Sequence, residues 1–241
     1  MSNSQRPDRM TAEELMAQLR ANPDVRAREE ANERQIAQAQ AEYAAAAEPV
    51  LTELVSAGYR ISTVGELRTM FEQTGRTYES AVPILVRCLP HVTYRPLQDD
   101  IVRTLSVPWA RRDATGALIE RFRELPPHGG PTASDHRWTV GNALEVLAHQ
   151  TVATDLMEIA QDRHYGEARQ MVVLGLAKLK KDPRVIPVLL NLLDDPDVTG
   201  SAIMALGRLR ATEARDRLQQ FLEHPEPHYR KEARKALRMI N

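Results

Sequence analysis

The sequence is poor in the residues that mark several large protein classes. Its one cysteine excludes a disulfide framework, and Cys88, inside the apolar pattern Ile84, Leu85, Cys88 and Leu89, reads as a small buried hydrophobe. Charge of one sign is missing too: the formal net charge is −1, which argues against gross non-specific binding to nucleic acid. No apolar run is long enough to span a bilayer and no stretch has a signal-peptide core, so the expectation is a cytoplasmic chain without membrane contact. Aromatics amount to only 5% and β-branched runs are few, which leaves an Ala- and Leu-rich pattern and an all-α expectation.

Catalytic signatures are also lacking. His128, His136, His149 and His164 show no HxH or HExxH spacing and no paired cysteines, which speaks against a metal site. There is no glycine-rich phosphate loop, no Gly-x-Ser-x-Gly and no Cys–His arrangement of known spacing. The acidic pairs Asp99-Asp100 and Asp194-Asp195 read as helix caps at turns before second helices. A chain without catalytic residues, metal or cofactor is therefore expected, and not an enzyme.

What is present is a repeat. From Asp182 to Ala211 two short helices flank the turn Asp194-Asp195-Pro196-Asp197, the first apolar at Val185, Ile186, Leu189, Leu192 and Leu193, the second at Val198, Ala202, Leu206 and Leu209. Neither helix can bury that face alone. The second helix recurs upstream as Ala168, Val172, Leu176 and Leu179 and downstream as Tyr229, Ala233, Leu237 and Ile240, a period of about thirty residues that signals a short α-solenoid repeat. In the last unit Arg234, Lys235 and Arg238 replace the apolar Val173, Leu174 and Ala177, as a terminal repeat with a polar outer face requires.

The segments Asp182-Pro183-Arg184-Val185-Ile186-Pro187-Val188-Leu189-Leu190, Leu193-Asp194-Asp195-Pro196-Asp197-Val198 and Ala205-Leu206-Gly207-Arg208-Leu209 resemble the HEAT-like repeats first named in phycobilin lyases. The family's Val-Arg pair at the start of the second helix appears as Ala168-Arg169 and Tyr229-Arg230, but as Val198-Thr199 in the centre. The resemblance is clear over 151–241, weaker over 78–150 and absent over 1–77. It implies an α-solenoid (an α-α superhelix) of about five HEAT-like hairpins with an N-terminal helical cap; such repeats serve scaffolds, inhibitors, lyases and nucleic-acid enzymes alike.

Taken in order, 1–10 reads as a disordered tail and 11–77 as the helical cap. Within the cap, Thr11-Ala12-Glu13-Glu14 opens a short helix, Asn22-Pro23 starts a long one to about Ser56 with a kink at Pro49, and Thr63 with Glu66 opens a third that buries Leu67, Met70 and Phe71. The long helix reads as an N-terminal capping helix lying on the first repeat, or as a partner or self-association helix. The solenoid follows as 78–110, 111–150, 151–181, 182–211 and 212–241. An insert over 126–135 interrupts the second repeat, with Ser134 or Asp135 capping a helix that begins near Trp138; long inserts in solenoids collect on one face, often the binding one.

Trp109, Arg111, Arg112, Arg137 and Trp138 gather in this middle region, and Arg169 opens the next second helix; Trp with Arg is the usual composition of an interaction hot spot. The competing reading is that each Trp fills an irregular repeat and each Arg is solvated. The basic stripe Arg230, Lys231, Arg234, Lys235 and Arg238 reads as a polar cap in preference to a nucleic-acid patch. The leading functional expectation is a non-catalytic module that holds a protein or peptide in a concave groove lined by second helices, in its more specific form a bacterial inhibitor or immunity-type protein. The alternative is a nucleic-acid enzyme of the alkyl-base DNA glycosylase kind, with Asp113 as its carboxylate beside Trp109, Trp138, Arg111 and Arg112. A phycobilin lyase is a third reading, suggested by the repeat's name alone. Oligomeric state is not legible in the sequence.

Overall fold

A computed structural model describes residues 11–13, 16, 22–125 and 130–240, the side chains of 130–135 apart. The expected tail over 1–10, most of the helix expected after Thr11, and His128 lie outside the described residues. Two compact units divide the chain, residues 1–46 and residues 47–241.

The described part of the first unit is a stretch of α1, whose full span is Pro23–Ser56. Asn22 caps it: the Asp24 N–H donates to Asn22 Oδ1 at 2.9 Å, and Pro23 sits first in the helix, where its missing N–H removes no intrahelical bond. Charged and amide side chains cover nearly every face, so little is buried and support is local, as in the Gln38–Glu42 bond of 2.9 Å one turn apart.

In the second unit α1 runs on through Pro49 without interruption and buries Ala47, Val50 and Leu54. Helix α2 (Glu66–Thr74) opens with Glu66 reaching back to the Ser62 N–H (3.0 Å) and the Thr63 hydroxyl (3.3 Å). It buries Leu67, while Met70 and Phe71 are only half-buried. Ten further helices follow among the described residues, in five pairs: α3 (Val82–Cys88) with α4 (Arg95–Leu105), α5 (Arg111–Glu124) with α6 (Gly130–Leu147), α7 (Ala153–Gln161) with α8 (Gln170–Gly175), α9 (Val185–Leu192) with α10 (Thr199–Leu209), and α11 (Arg215–Gln220) with α12 (Pro227–Ile240). No strand occurs among the described residues, and the protein is an all-α solenoid.

The second helices α4, α6, α8, α10 and α12 pack each on the next. Their shared face is the periodic one: Ile101 and Leu105, Val140 and Leu144, Val172 and Leu176, Ala202 and Leu206 are all buried, as is Ala233 in the last. Each helix buries an apolar face only by borrowing its neighbour, so the stack folds as a nearest-neighbour chain of interfaces. On α12, Arg234, Lys235 and Arg238 are exposed, in keeping with a polar outer face.

Three details differ from the sequence reading. Helix α6 begins at Gly130 instead of near Trp138, so most of the expected insert is helical and its remainder, 126–129, lies outside the described residues. Pro131 falls at the second helical position, where a missing N–H costs no bond, and so does not stop the helix. Asp99 and Asp100 lie inside α4 instead of capping it; Asp100 reaches across to α2, accepting the Gly65 N–H at 2.9 Å and pairing with Arg68 at 2.8 Å. Cys88 is half-buried instead of enclosed, its thiol 3.8 Å from Glu53 Oε1, and burial together with that carboxylate raises its pKa.

Helices α10 and α12 approach closely at Gly207, where a Cβ would stand 2.7 Å from the Ala236 Cα. A methyl group there cannot fit unless the two backbones separate. Gly207→Ala should therefore lower the urea midpoint, although alanine improves helix propensity by about 1 kcal/mol. An unchanged or higher midpoint would show that the two helices can part at no cost.

Candidate functional site

Where the described helices of a pair end or turn, backbone carbonyls accept side-chain donors, some of them buried and some at the surface. One position in the second helix, or just before it, supplies the donor. Gln98 Nε2 donates to Val92 O, and Arg137 Nε donates to Phe122 O at 3.2 Å. Arg169 donates to Ala160 O at 3.0 Å and Gly166 O at 2.9 Å. The Thr199 hydroxyl sits within reach of Leu193 O (3.2 Å) and Asp195 O (2.7 Å), and Arg230 reaches His224 O and Pro225 O, both at 2.7 Å. Arginine holds the position in three of these five repeats, glutamine and threonine in the other two, while the task stays the same.

This assigns two of the six residues expected at a binding surface to a different place. Arg137 is 2% exposed and Arg169 has no exposure at all, so neither presents a guanidinium to a partner. Arg137 lies 5.1 Å from the Tyr165 ring centroid and 5.7 Å from that of Phe122, joining the second repeat to the third by cation–π contact. Arg169 has donors left after its own turn is served. Its Nη1 bonds Asp195 Oδ2 at 2.9 Å and its Nη2 lies 3.4 Å from Asp197 Oδ2, a rung to the following repeat. Burial alone would raise the Asp195 carboxyl; the Arg169 hydrogen bond and charge outweigh it and hold the pKa below the ordinary carboxylate value. The Asp195 side chain also accepts the Asp197 N–H at 3.2 Å, so it braces the turn and does not cap α10.

The remaining four residues separate into two locations. Trp109, Arg111 and Arg112 line a pocket of ≈ 540 Å³ with Pro108, His149 and Thr151. Pro108 and Trp109 form a single helical turn before α5, Arg111 and Arg112 are the first residues of α5, and His149 and Thr151 come from the segment after α6. The indole is held edge-on by Phe71 (4.7 Å between centroids) and Tyr78 (5.4 Å), which makes it a fixed wall. Tyr78 is itself anchored by its hydroxyl to Thr104 O at 2.9 Å, and burial raises its pKa to about 12. His149 and Thr151 were not anticipated; a histidine after a helix carries no sequence signal for a pocket formed with another repeat. Trp138 is not part of that pocket. It stands on α6 with 51% exposure. Asp113 is exposed and is not in the pocket wall, so the tryptophans, arginines and carboxylate considered for nucleic-acid chemistry do not converge on one site.

A second exposed feature lies across the second helices. Glu145 Oε1 on α6 is 3.3 Å from Lys178 Nζ, just beyond α8, and 3.5 Å from Arg208 Nη1 on α10. Three consecutive repeats thus meet at one carboxylate. Beside Arg208, the groove between α10 and α12 has Met204, Ala236 and Met239 as its apolar lining and Glu232 and Lys235 as its charged one.

Below the surface, His136 is fully buried on α6 and touches Asp99 through Nδ1 at 2.5 Å. Arg121 approaches its Nε2 at 3.4 Å and bonds Gln98 Oε1 at 2.8 Å. Arginine only donates, so Nε2 is the acceptor and the proton belongs on Nδ1, facing the carboxylate. The group ties α4, α5 and α6 together. Among the described residues no set of three His, Cys, Asp or Glu side chains forms a metal cluster, and no described helix is long and apolar enough to cross a membrane.

A family model described as HEAT repeats matches residues 186–241, the stretch that contains α10, α11 and α12. Among curated proteins none matches the chain. Solved structures with a similar course include a designed armadillo repeat protein in complex with the peptide (KR)4, at 14% identity and TM-score 0.47, covering 94% of this chain and 98% of that one. Another designed armadillo repeat protein aligns at 14% identity and TM-score 0.45, covering 74% of this chain and 87% of that one.

Two outcomes are expected. Arg169→Met removes the buried partner of Asp195, leaving it the exposed Arg163 at 3.4 Å, and takes the donor from the Ala160 and Gly166 carbonyls. It should cost about 3–5 kcal/mol in urea unfolding, of which Asp195→Leu recovers only the part that belongs to the ion pair; equal loss in the single and double variants would remove the rung from the account. Burial outweighs the Asp99 bond and lowers the His136 pKa below 6.5. The unfolded chain then binds this proton first as the pH falls. The contribution is complete above pH 6.5 and is lost as the pH drops from there through the folded value. Stability measured from pH 8 to pH 5, about the span in which histidines titrate, should therefore decline less steeply in His136→Gln than in the wild type.

Proposed function

We propose that the protein is a protein- or peptide-binding module whose second helices present one continuous contact face. The observation that carries this reading is the meeting of Glu145, Lys178 and Arg208 from three successive repeats on one surface. An extended partner can run along such a face and touch each repeat in turn. The second helices also carry large apolar side chains that are half exposed: Trp138 at 51% and Met239 at 49%, the exposed large hydrophobics among the described residues of the five repeats. A half-exposed tryptophan is a residue of the kind from which interface hot spots are drawn. The finer form of the reading, an inhibitor or immunity-type protein, requires that the partner be an enzyme or toxin silenced on binding.

Trp138→Ala combined with Arg208→Glu tests the reading, because both side chains are at the surface and neither supports the core. The immobilised wild type should retain a stoichiometric protein that the double variant retains at least about tenfold less well, with helical circular dichroism unchanged. A partner held equally by both would place binding elsewhere, and no retained protein would remove the reading. Loss of the partner's own activity in the complex would single out an inhibitor. A gel shift at low salt separates the nucleic-acid alternative, whose affinity should fall steeply as salt is added.

A further inference from the structure

Several surface arginines of the repeats are neutralised within the chain. Arg123 pairs with Asp155 at 3.0 Å and Glu158 at 2.9 Å, Arg184 with Asp182 at 2.7 Å, and Arg217 with Asp194 at 2.7 Å. Exposed arginines such as Arg234 and Arg238 stand on the open face of the last helix, whereas Arg111 and Arg112 line a pocket. Neither forms an ion pair among the described residues, and the hydrogen bond of Arg111 is a long one, Nη2 to Val146 O at 3.4 Å. They are adjacent in sequence, so their charges repel. They are also the first two residues of α5, where the positive end of the helix dipole disfavours cations. Two guanidiniums without a carboxylate partner are unfavourable in that position, and what offsets them is small: the long Arg111 bond to Val146 O and Asp113 in the same first turn.

Both open into the pocket of ≈ 540 Å³ described above, whose lining contains no carboxylate. The rest of its wall is matched to an oxyanion attached to an apolar stem. Thr151 contributes a hydroxyl, Pro108 and the clamped Trp109 ring an apolar surface, and His149 a ring whose Nδ1 is already occupied by Leu147 O at 3.0 Å. Guanidinium presents its donors in a planar fork that fits a carboxylate with two parallel bonds.

We propose that this pocket is the specificity subsite for an acidic side chain of the bound partner, with Arg111 and Arg112 receiving the carboxylate and Trp109 with Pro108 receiving its methylene stem. The inference rests on the binding-module reading and adds to it the charge of the ligand. An acidic residue placed there neutralises two repelling cations and interacts favourably with the end of α5.

The experiment is calorimetric titration of the whole chain with a glutamate octapeptide, with a glutamine octapeptide and with inorganic phosphate, each at low and at physiological salt. Expected results are saturable binding of the glutamate peptide, no binding of the glutamine peptide, weakening with salt, and a loss of at least about tenfold in Arg111→Gln/Arg112→Gln. That variant should also melt at a higher temperature than the wild type, since it removes unpaired cations from a helix start; misfolding is therefore not an explanation for its lost affinity. The inference is overturned if the glutamate peptide does not bind, if the glutamine peptide binds as well, if the double variant binds undiminished, or if phosphate alone occupies the site. A natural partner retained equally by the wild type and by this variant removes the subsite and leaves the binding module standing, whereas absence of any partner removes both.

Discussion

A backbone carbonyl buried between the helices of a pair cannot reach water and needs a donor from the chain. Gln98, Arg137, Arg169, Thr199 and Arg230 donate to such carbonyls or to ones nearer the surface in five successive units, each from its second helix or the residue before it. An unsatisfied buried carbonyl costs about as much as a lost hydrogen bond, which is a large share of the margin by which a domain is stable. Once the turns are satisfied, the apolar positions that follow can face the next helix, and the stack builds itself by repetition. Where the donor is arginine, its fork has capacity beyond its own turn. Arg169 spends that capacity on Asp195 of the next repeat, and Arg137 spends it on the rings of Phe122 and Tyr165. The same position thus closes a hairpin and, in the middle of the stack, couples it to a neighbour.

How much of this the sequence discloses follows from what repeats in it. The apolar positions recur as Val172 and Leu176, Ala202 and Leu206, Ala233 and Leu237, and a period of helix pairs is legible from them without coordinates. The donor position recurs less strictly: arginine holds it at 137, 169 and 230, but glutamine and threonine perform the same task at 98 and 199 with side chains of other lengths. Arg137 and Arg169 therefore look like binding residues in the sequence, because nothing in a string of letters distinguishes a buried guanidinium surrounded by carbonyls from one awaiting a ligand. The second repeat is harder still. His136 stands where its neighbours have an apolar residue, and it is buried through a carboxylate, Asp99, that sequence spacing assigns to a helix cap. Helix α6 is likewise hidden by Pro131 and its glycines, which read as a loop but fall where a helix start tolerates them.

Arginine has two fates in this protein, and the difference between them is the basis for separating structure from function. Arg137 and Arg169 are enclosed by carbonyls, aromatic faces and a carboxylate. Removing either leaves a buried group without its partner. Arg111 and Arg112 are surrounded by an indole, a proline, a hydroxyl and an imidazole, none of which carries negative charge. Removing them relieves repulsion. A residue whose loss is expected to stabilise the fold is kept for a reason outside the fold, and that reasoning needs neither a recurring motif nor a bound molecule. It also explains why Trp109 is rigid while Trp138 is half exposed: the first is a wall held by Phe71 and Tyr78, the second an apolar surface on the shared face of the second helices. A wall with unpaired cations selects the charge of what enters, and an exposed ring two turns before Glu145 on α6 supplies area to whatever lies along the repeats. The two locations are complementary parts of recognition, one specifying and one adhesive, and a partner that used only the second would leave the cost of Arg111 and Arg112 without a return.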